Sequence, residues 1–295
     1  MSKAVVIGGG GFIGSHTADA LSKAGYEVTI FDKEDSPWIS GDQKMVKGDI
    51  LDSIHLEEVL KGSDYVYHFA GIADIQESKQ NPLKTIELNI MGTTKILEAL
   101  VKTKAKRFVF ASTMYVYSPY GSFYRATKQS SESIIEVYSK EFGLEYSFLR
   151  YGSVFGPRAQ SWNGLRGYIE QIIQTGKLDY HGTGKEVREY LHVKDAAKLS
   201  VDILKDKYIN KAITVTGHQT KRSEEMIDLL FEIAGKKSSV TYHKSDVSPD
   251  HYVNTPYRFS PKPATKLVPE EFYDLGQGVL EVMEEVAEDI KQKDS

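Results

Sequence analysis

Val5-Val6-Ile7-Gly8-Gly9-Gly10-Gly11-Phe12-Ile13-Gly14 is the stretch that decides the fold of this chain. Its apolar start, Ala4–Ile7, reads as a buried strand. The glycines end that strand, and apolar residues at helical spacing follow at once from Phe12 to Ala24. Gly8, Gly11 and Gly14 therefore stand between a strand and a helix. A pyrophosphate needs this arrangement, because side chains would block the backbone's approach while the amide groups and the positive helix end stabilise its charge. Taken alone, the pattern also fits a plain tight turn, so the flanking sequence has to discriminate.

Outward from this turn, strand-type runs alternate with helical patterns. Val28–Phe31, Tyr65–Phe69, Phe108–Ala111 and Tyr146–Leu149 read as strands, and Ser53–Leu60, Leu83–Val101 and Tyr124–Glu141 as helices. The alternation predicts an α/β fold, a doubly wound parallel Rossmann sheet. After about Arg150 the pattern loosens through Gly156–Arg166 and Gly182–Lys185. A smaller C-terminal α/β substrate domain is expected there, over about 153–186 and 217–295, beside a dinucleotide-binding domain over 1–152 and about 187–216. Leu280–Lys293 reads as a charged, amphipathic closing helix.

The 295 residues, 40% hydrophobic and 26% charged, are ordinary for a soluble globular protein. A net charge of -4, with no run of Lys and Arg interleaved with aromatics, argues against a nucleic-acid partner. The absence of cysteine excludes a disulfide scaffold and a thiolate metal site. The histidines, His16 and His192 among them, lack metal-ligand spacing, so no metal is expected. No apolar stretch is long enough for a signal core or a bilayer span, which makes the cytoplasm the expected location and no membrane partner the expectation.

Two further features give the glycine turn a chemical context. The second strand ends at Phe31-Asp32, about twenty residues on, where a carboxylate can accept hydrogen bonds from ribose hydroxyls. The same charge would repel a 2′-phosphate, so Asp32 favours NAD over NADP, with the neighbouring Lys33 tempering the preference. Tyr124 and Lys128 form a Tyr-x-x-x-Lys pair that begins the helix after the Phe108–Ala111 strand. One helical turn puts both side chains on one face, and an ammonium beside a phenol would lower the phenol's pKa. The tyrosine could then exchange a proton with a sugar hydroxyl or ketone while nicotinamide exchanges hydride.

The chain also carries Gly48-Asp49-Ile50, His68-Phe69-Ala70-Gly71, Asn89-Ile90-Met91-Gly92-Thr93, Phe110-Ala111-Ser112-Thr113, Arg150-Tyr151, Gly156-Pro157-Arg158 and Arg188-Glu189-Tyr190-Leu191-His192-Val193-Lys194-Asp195. With the glycine turn and the Tyr124/Lys128 pair, it resembles the extended branch of the short-chain dehydrogenase/reductase family, the NAD-dependent nucleotide-sugar epimerases and dehydratases. The resemblance implies that Asp49 and Ile50 hold the adenine, that Ala70, Gly71 and Ala73 line the cofactor groove, and that Asn89 supports the active-site network. Read without it, Asp49 suits a turn and Asn89 a helix cap. Phe12 and Ile13 inside the turn, together with Lys33 and Tyr151, complete the expected cofactor contacts, and Lys128 would also bond the nicotinamide ribose. Aligning Val116-Tyr117 with the family's Val-Tyr puts Thr113 at the catalytic Ser/Thr position, while Ser112 supports the strand end.

The resemblance also narrows the reaction. Sugar dehydratases and the related decarboxylase carry an acidic residue within two positions of that Thr, where this chain has Met114 and Tyr115. The expected activity is therefore epimerisation of a nucleotide sugar by transient oxidation to a keto sugar and return of hydride to the other face. A nucleotide-linked keto-sugar reductase, a 4,6-dehydratase and a non-catalytic dinucleotide sensor stay open as alternatives. Arg188 is expected on the nucleotide diphosphate. The family's second arginine is missing near His243-Lys244-Ser245-Asp246, leaving Lys244, Arg258 or Lys262 to replace it. Ser153 stands where the family has a substrate-binding Asn, and the loop between Tyr117 and Tyr124 is short, both pointing to an atypical sugar. By the same resemblance, the Leu83–Val101 and Tyr124–Glu141 helices would form a four-helix bundle in a homodimer.

Overall fold

The structure is a computed structural model that describes residues 1–218, 220–243, 251–254 and 256. Along the chain run β1 (Lys3–Ile7), α1 (Phe12–Lys23), β2 (Glu27–Asp32), β3 (Lys44–Lys47), α2 (Ser53–Leu60), β4 (Tyr65–His68), α3 (Ile75–Gln80) and α4 (Pro82–Ile86). Then come α5 (Gly92–Thr103), β5 (Arg107–Thr113), α6 (Ser122–Phe142), β6 (Tyr146–Tyr151), β7 (Ser153–Phe155), α7 (Gly164–Thr175), β8 (Leu178–Tyr180) and β9 (Val187–His192). α8 (Val193–Asp202), β10 (Lys211–Val215), β11 (Thr220–Arg222), α9 (Ser223–Ile233) and β12 (Val240–Tyr242) complete the described elements. The proposed closing helix at Leu280–Lys293 lies outside the described residues.

Seven strands form one parallel sheet in the order β10-β6-β5-β4-β1-β2-β3. Strand side chains alternate between its faces, so both must be covered by helices. Val5, Ile7, Phe31, Phe108, Phe110 and Phe148 meet Leu56, Leu60, Ile96, Leu97 and Ile135 on the face of α2, α5 and α6. Ala4, Val6, Val28, Ile30, Val109 and Leu149 meet Ala18, Leu21, Ala196 and Ile203 on the face of α1 and α8. This is the doubly wound α/β arrangement, with the direction of winding reversing between β1 and β4.

A lobe beside the sheet has a core of its own, in which Ile172, Leu178, Tyr180, Ile227 and Phe231 pack together. It holds the β12-β8 pair and the three-stranded sheet β11-β9-β7. β10 returns to the edge of the large sheet against β6, whereas β9 joins the small one. Among the described residues no helix is long and apolar enough to cross a membrane.

The long helix expected over Leu83–Val101 departs from a regular α-helix. α4 and α5 are joined by a π-helical turn at Glu87–Met91, with helical backbone on both sides. A π turn shifts the hydrophobic register by one residue while leaving the apolar pattern recognisably helical, so spacing alone does not reveal it. Asn89 sits in this turn.

Candidate active site

β1 delivers its chain end at the point where the winding reverses, the place in such sheets where a crevice opens beyond the strand ends. Gly8 has φ of 78°, and a Cβ there would lie 2.4 Å from the Ala70 backbone nitrogen. A Cβ on Gly14 would lie 2.2 Å from the Gly8 carbonyl oxygen. Both positions exclude any side chain, which brings the first turn of α1 hard against the end of β1. Gly11 is the N-cap of α1 and no side chain caps the helix, so its leading amides face outward as an anion seat. Phe12 and Ile13 turn their side chains into apolar contacts with Ala159, Val193 and Val154, and only their backbone belongs to the turn. This cradle fits a dinucleotide pyrophosphate.

Asp32 closes the turn from the next strand. Its Oδ2 accepts from Gly10 N at 2.9 Å, so the carboxylate braces the loop. Lys33 is exposed beside it. Asp49 is exposed and its Oδ1 accepts from Leu51 N at 2.8 Å, the turn its residue type suits, while the Ile50 side chain is buried against Gly92. Gly71 and Ala73 are exposed after β4, and Ala70 lies between Gly8 and the core.

Asn89 is the hub behind that loop. Its Oδ1 accepts from Ile72 N (2.8 Å) and its Nδ2 donates to Ile72 O (2.9 Å) and Thr127 Oγ1 (3.0 Å). Gly71, at φ 130°, passes so close that a Cβ would sit 2.4 Å from Asn89 Oδ1. Rather than capping a helix, Asn89 ties the cofactor-side loop to α6, the helix of Tyr124 and Lys128. Tyr151 is turned away from this groove: its hydroxyl pairs with Ser200 Oγ at 2.6 Å in the core beneath α8.

Thr113 ends β5, where its hydroxyl accepts from Tyr115 N at 3.3 Å and lies near the Tyr124 phenol at the start of α6. Lys128, one turn on, is buried, with Nζ donating to Ala111 O at 2.7 Å and lying 4.6 Å from the Phe110 ring centre. Burial pulls the Lys128 ammonium down to about 8, with Glu132 acting against it. Burial pushes the Tyr124 phenol up to about 12, while the nearby Thr113 hydroxyl acts downward and Tyr252 upward. The lowered phenol expected from the Tyr-x-x-x-Lys spacing is thus not what this geometry gives, because burial dominates at the phenol while the Lys128 ammonium is engaged by Ala111 O and the Phe110 ring.

A buried network that sequence reasoning missed lies behind Lys128. Glu132 takes Ser112 Oγ at 2.5 Å, Arg150 Nε at 2.9 Å and Arg150 Nη2 at 2.5 Å, and Arg150 also donates to Tyr117. Removing one partner of such a pair strands a charge and costs about 3–5 kcal/mol. The network locks the end of β5 to α6 and β6, holding Thr113 and Tyr124 in register. Its one sequence signal was the spacing of Glu132 from Lys128, again one helical turn.

On the substrate side, Arg188 projects from β9 with Nη1 donating to Val187 O (3.0 Å) and Val253 O (3.1 Å), and its guanidinium lies 4.6 Å from the Tyr252 ring centre. Ser153 lies near the Tyr252 hydroxyl, whose pKa it acts to lower against the upward push of burial. Tyr115, in the 3₁₀ turn Met114–Tyr117, stacks on Tyr252 at 4.7 Å, meets Tyr124 edge-on at 6.2 Å and bonds His251 Nδ1 at 2.6 Å. Lys244, Arg258 and Lys262 lie outside the described residues. Among the described residues no cluster of His, Asp or Glu is arranged to hold a metal. His16 instead hydrogen-bonds Pro157 O at 3.0 Å, and His192 caps α8.

Residues 4–215 match the model of the NAD dependent epimerase/dehydratase family. The chain is 28% identical over 267 residues to a UDP-N-acetyl-alpha-D-glucosaminuronate decarboxylase of Bacillus cytotoxicus, covering 81% of this chain and 83% of the relative. It is 29% identical to a putative UDP-glucose 4-epimerase of Methanocaldococcus jannaschii, covering 81% and 85%. The UDP-glucuronic acid 4-epimerase of Bacillus cereus, solved with UDP-glucuronic acid and NAD, superposes with a TM-score of 0.79 at 27% identity, covering 89% of this chain and 95% of that one.

The glycine cradle makes a direct prediction. Gly14→Ala puts a methyl group onto the Gly8 carbonyl and should lower the affinity for added NAD by at least about tenfold, a loss of the size of one or two hydrogen bonds to a charged group. Fluorescence titration with NADH measures it. Unchanged affinity would show that the pyrophosphate sits elsewhere.

Proposed function

The chain belongs to the NAD dependent epimerase/dehydratase family, and on that premise we propose that it inverts carbon 4 of a UDP-sugar without net oxidation. The observation that carries this reading is the convergence of Thr113 at the end of β5 with Tyr124 and Lys128 on the first turns of α6, where buried Lys128 donates to Ala111 O of that strand at 2.7 Å, on the same strand-end edge as the glycine cradle. When bound, NAD supplies reversible hydride exchange at one sugar carbon. Thr113 bonds the reacting sugar oxygen and passes its proton to and from Tyr124. With its phenol at about 12, Tyr124 rests protonated and ready to donate to a keto oxygen. Taking the hydroxyl proton instead requires Tyr124 as phenolate, the form that the Lys128 ammonium one turn away favours, and the transfer returns it to phenol. Arg188 holds the diphosphate, and Ser153 and Tyr115 stand on the sugar side.

Met114 and Tyr115 favour epimerisation over dehydration or decarboxylation. Met114 is buried, and Tyr115 offers a neutral phenol where those reactions need a carboxylic acid. The intact Thr113, Tyr124 and Lys128 set argues against a purely sensory dinucleotide binder.

A second copy of this chain is the partner that the helices suit. α4, α5 and α6 leave Leu83 82%, Val137 56% and Phe142 57% exposed, with Met91 and Phe123 also uncovered. Scattered apolar residues are normal on a surface, but five on neighbouring helices make a dimer face.

Three results are expected. Holoenzyme converts UDP-glucose or UDP-glucuronic acid to its 4-epimer with no accumulation of reduced nicotinamide absorbance, and Tyr124→Phe lowers kcat by at least about a hundredfold. Stoichiometric consumption of NADH with a keto sugar would instead identify a reductase. Activity should fall as pH rises through about 8, where Lys128 loses its proton. The folded value lies below the ordinary lysine value of 10.5, so the unfolded chain binds more protons between the two and this group adds stability as pH rises there. Unfolding therefore does not explain that limb, and a thermal melt at each pH checks it. Finally, light scattering should give the mass of a dimer, and Leu83→Glu with Val137→Glu should give a monomer; a monomeric wild-type chain would sink the dimer face.

A further inference from the structure

Tyr252 is 5% exposed, yet it comes from a short segment outside the strands and helices. Its hydroxyl lies near Ser153 on β7, one side of its ring lies against the Arg188 guanidinium from β9, and the ring also meets Tyr115 at 4.7 Å with planes tilted by 50°. The next residue, Val253, accepts from Val187 N at 2.8 Å and from Arg188 Nη1 at 3.1 Å. The preceding one, His251, bonds the Tyr115 hydroxyl. One three-residue segment therefore grips three elements. Tyr115 in turn meets the Tyr124 ring, so Tyr252 is the link between Arg188 and the reacting tyrosine.

We propose that Tyr252 is a positioning residue for the UDP-sugar: it fixes the Arg188 guanidinium for the diphosphate and aligns it with the Tyr115–Tyr124 wall. The inference rests on the UDP-sugar reading above. An arginine on a strand has long, freely rotating bonds, and ordering them at the moment of binding costs affinity. The aromatic face and the Val253 carbonyl meet that cost in advance, leaving the remaining guanidinium donors in a set plane. Prior ordering matters most where the sequence lacks the family's second arginine. A planar ring between Ser153 and Arg188 also sets the distance from diphosphate to sugar, so that the carbon presented to Thr113 and Tyr124 depends on it.

UDP titrated calorimetrically into the NAD-loaded dimer tests this without turnover. Tyr252→Leu removes a cation–π contact and should weaken UDP binding on the order of tenfold. In steady-state assays with the sugar nucleotide it should raise KM more than it lowers kcat. Tyr252→Phe keeps the ring, loses only the hydroxyl near Ser153, and should retain most of the UDP affinity, which keeps the test open should the leucine variant fail to fold. UDP affinity equal to wild type in Tyr252→Leu overturns the proposal. So does tighter binding, which would make Tyr252 an obstruction, or a loss in Tyr252→Phe as deep as in Tyr252→Leu. Arg188→Ala is the control on the underlying reading: if it leaves UDP affinity unchanged, the diphosphate assignment fails rather than the role of Tyr252.

Discussion

The approach of Gly14 to the Gly8 carbonyl is the constraint on which the rest depends. A side chain at either glycine would force α1 off the end of β1, and the helix amides would no longer form an anion seat. Because β1 lies between β2 and β4 in the sheet, that contact references Asp32 on one side and Ala70 on the other. From Ala70 the frame continues through Gly71 and Ile72 to Asn89, and from Asn89 to Thr127 on α6. A chain of close contacts and buried hydrogen bonds thus runs from the pyrophosphate seat to the helix that carries Tyr124 and Lys128. Buried amides of this kind are costly to leave unpaired, which makes the frame stiff.

The electrostatics of the second half follow from burial. Lys128 sits without water near an aromatic ring and a carbonyl, so its ammonium is held only weakly and is sensitive to Glu132. Tyr124 is under the opposite pressure, kept neutral by the same dryness. On the proposed reading the pair moves a proton when charge develops nearby, with Tyr124 neutral at rest. The Ser112–Glu132–Arg150 network supports this by fixing where β5 ends relative to α6.

Much of this was legible in the sequence because it is local. The glycine turn, the alternating strand faces and Tyr124 with Lys128 depend on neighbours within one or two turns of chain, and periodicity reports them. Non-local features were hidden for physical reasons. The π turn at Glu87–Met91 keeps an apolar helical pattern, so without the family resemblance Asn89 reads as a helix cap. Glu132 and Arg150 resemble solvated surface charges until β6 is placed beside α6. Tyr151 ends β6 in the Arg150-Tyr151 pair but points into the core toward Ser200. Tyr252 has no motif around it, and its contacts come from residues up to 137 positions away, as with Tyr115. A side chain's burial in a loop is a property of the fold, and single-sequence patterns do not carry it.

The central claim is that one hydride leaves and returns at a single sugar carbon while the proton moves through Thr113 and Tyr124. The most direct measurement is epimerisation of UDP-glucose deuterated at carbon 4, followed by mass spectrometry and NMR of the product. The account predicts full retention of deuterium at carbon 4 of the epimer, with none exchanged from solvent. Loss of the label to water, or epimerisation with solvent deuterium incorporated at carbon 4, would contradict it.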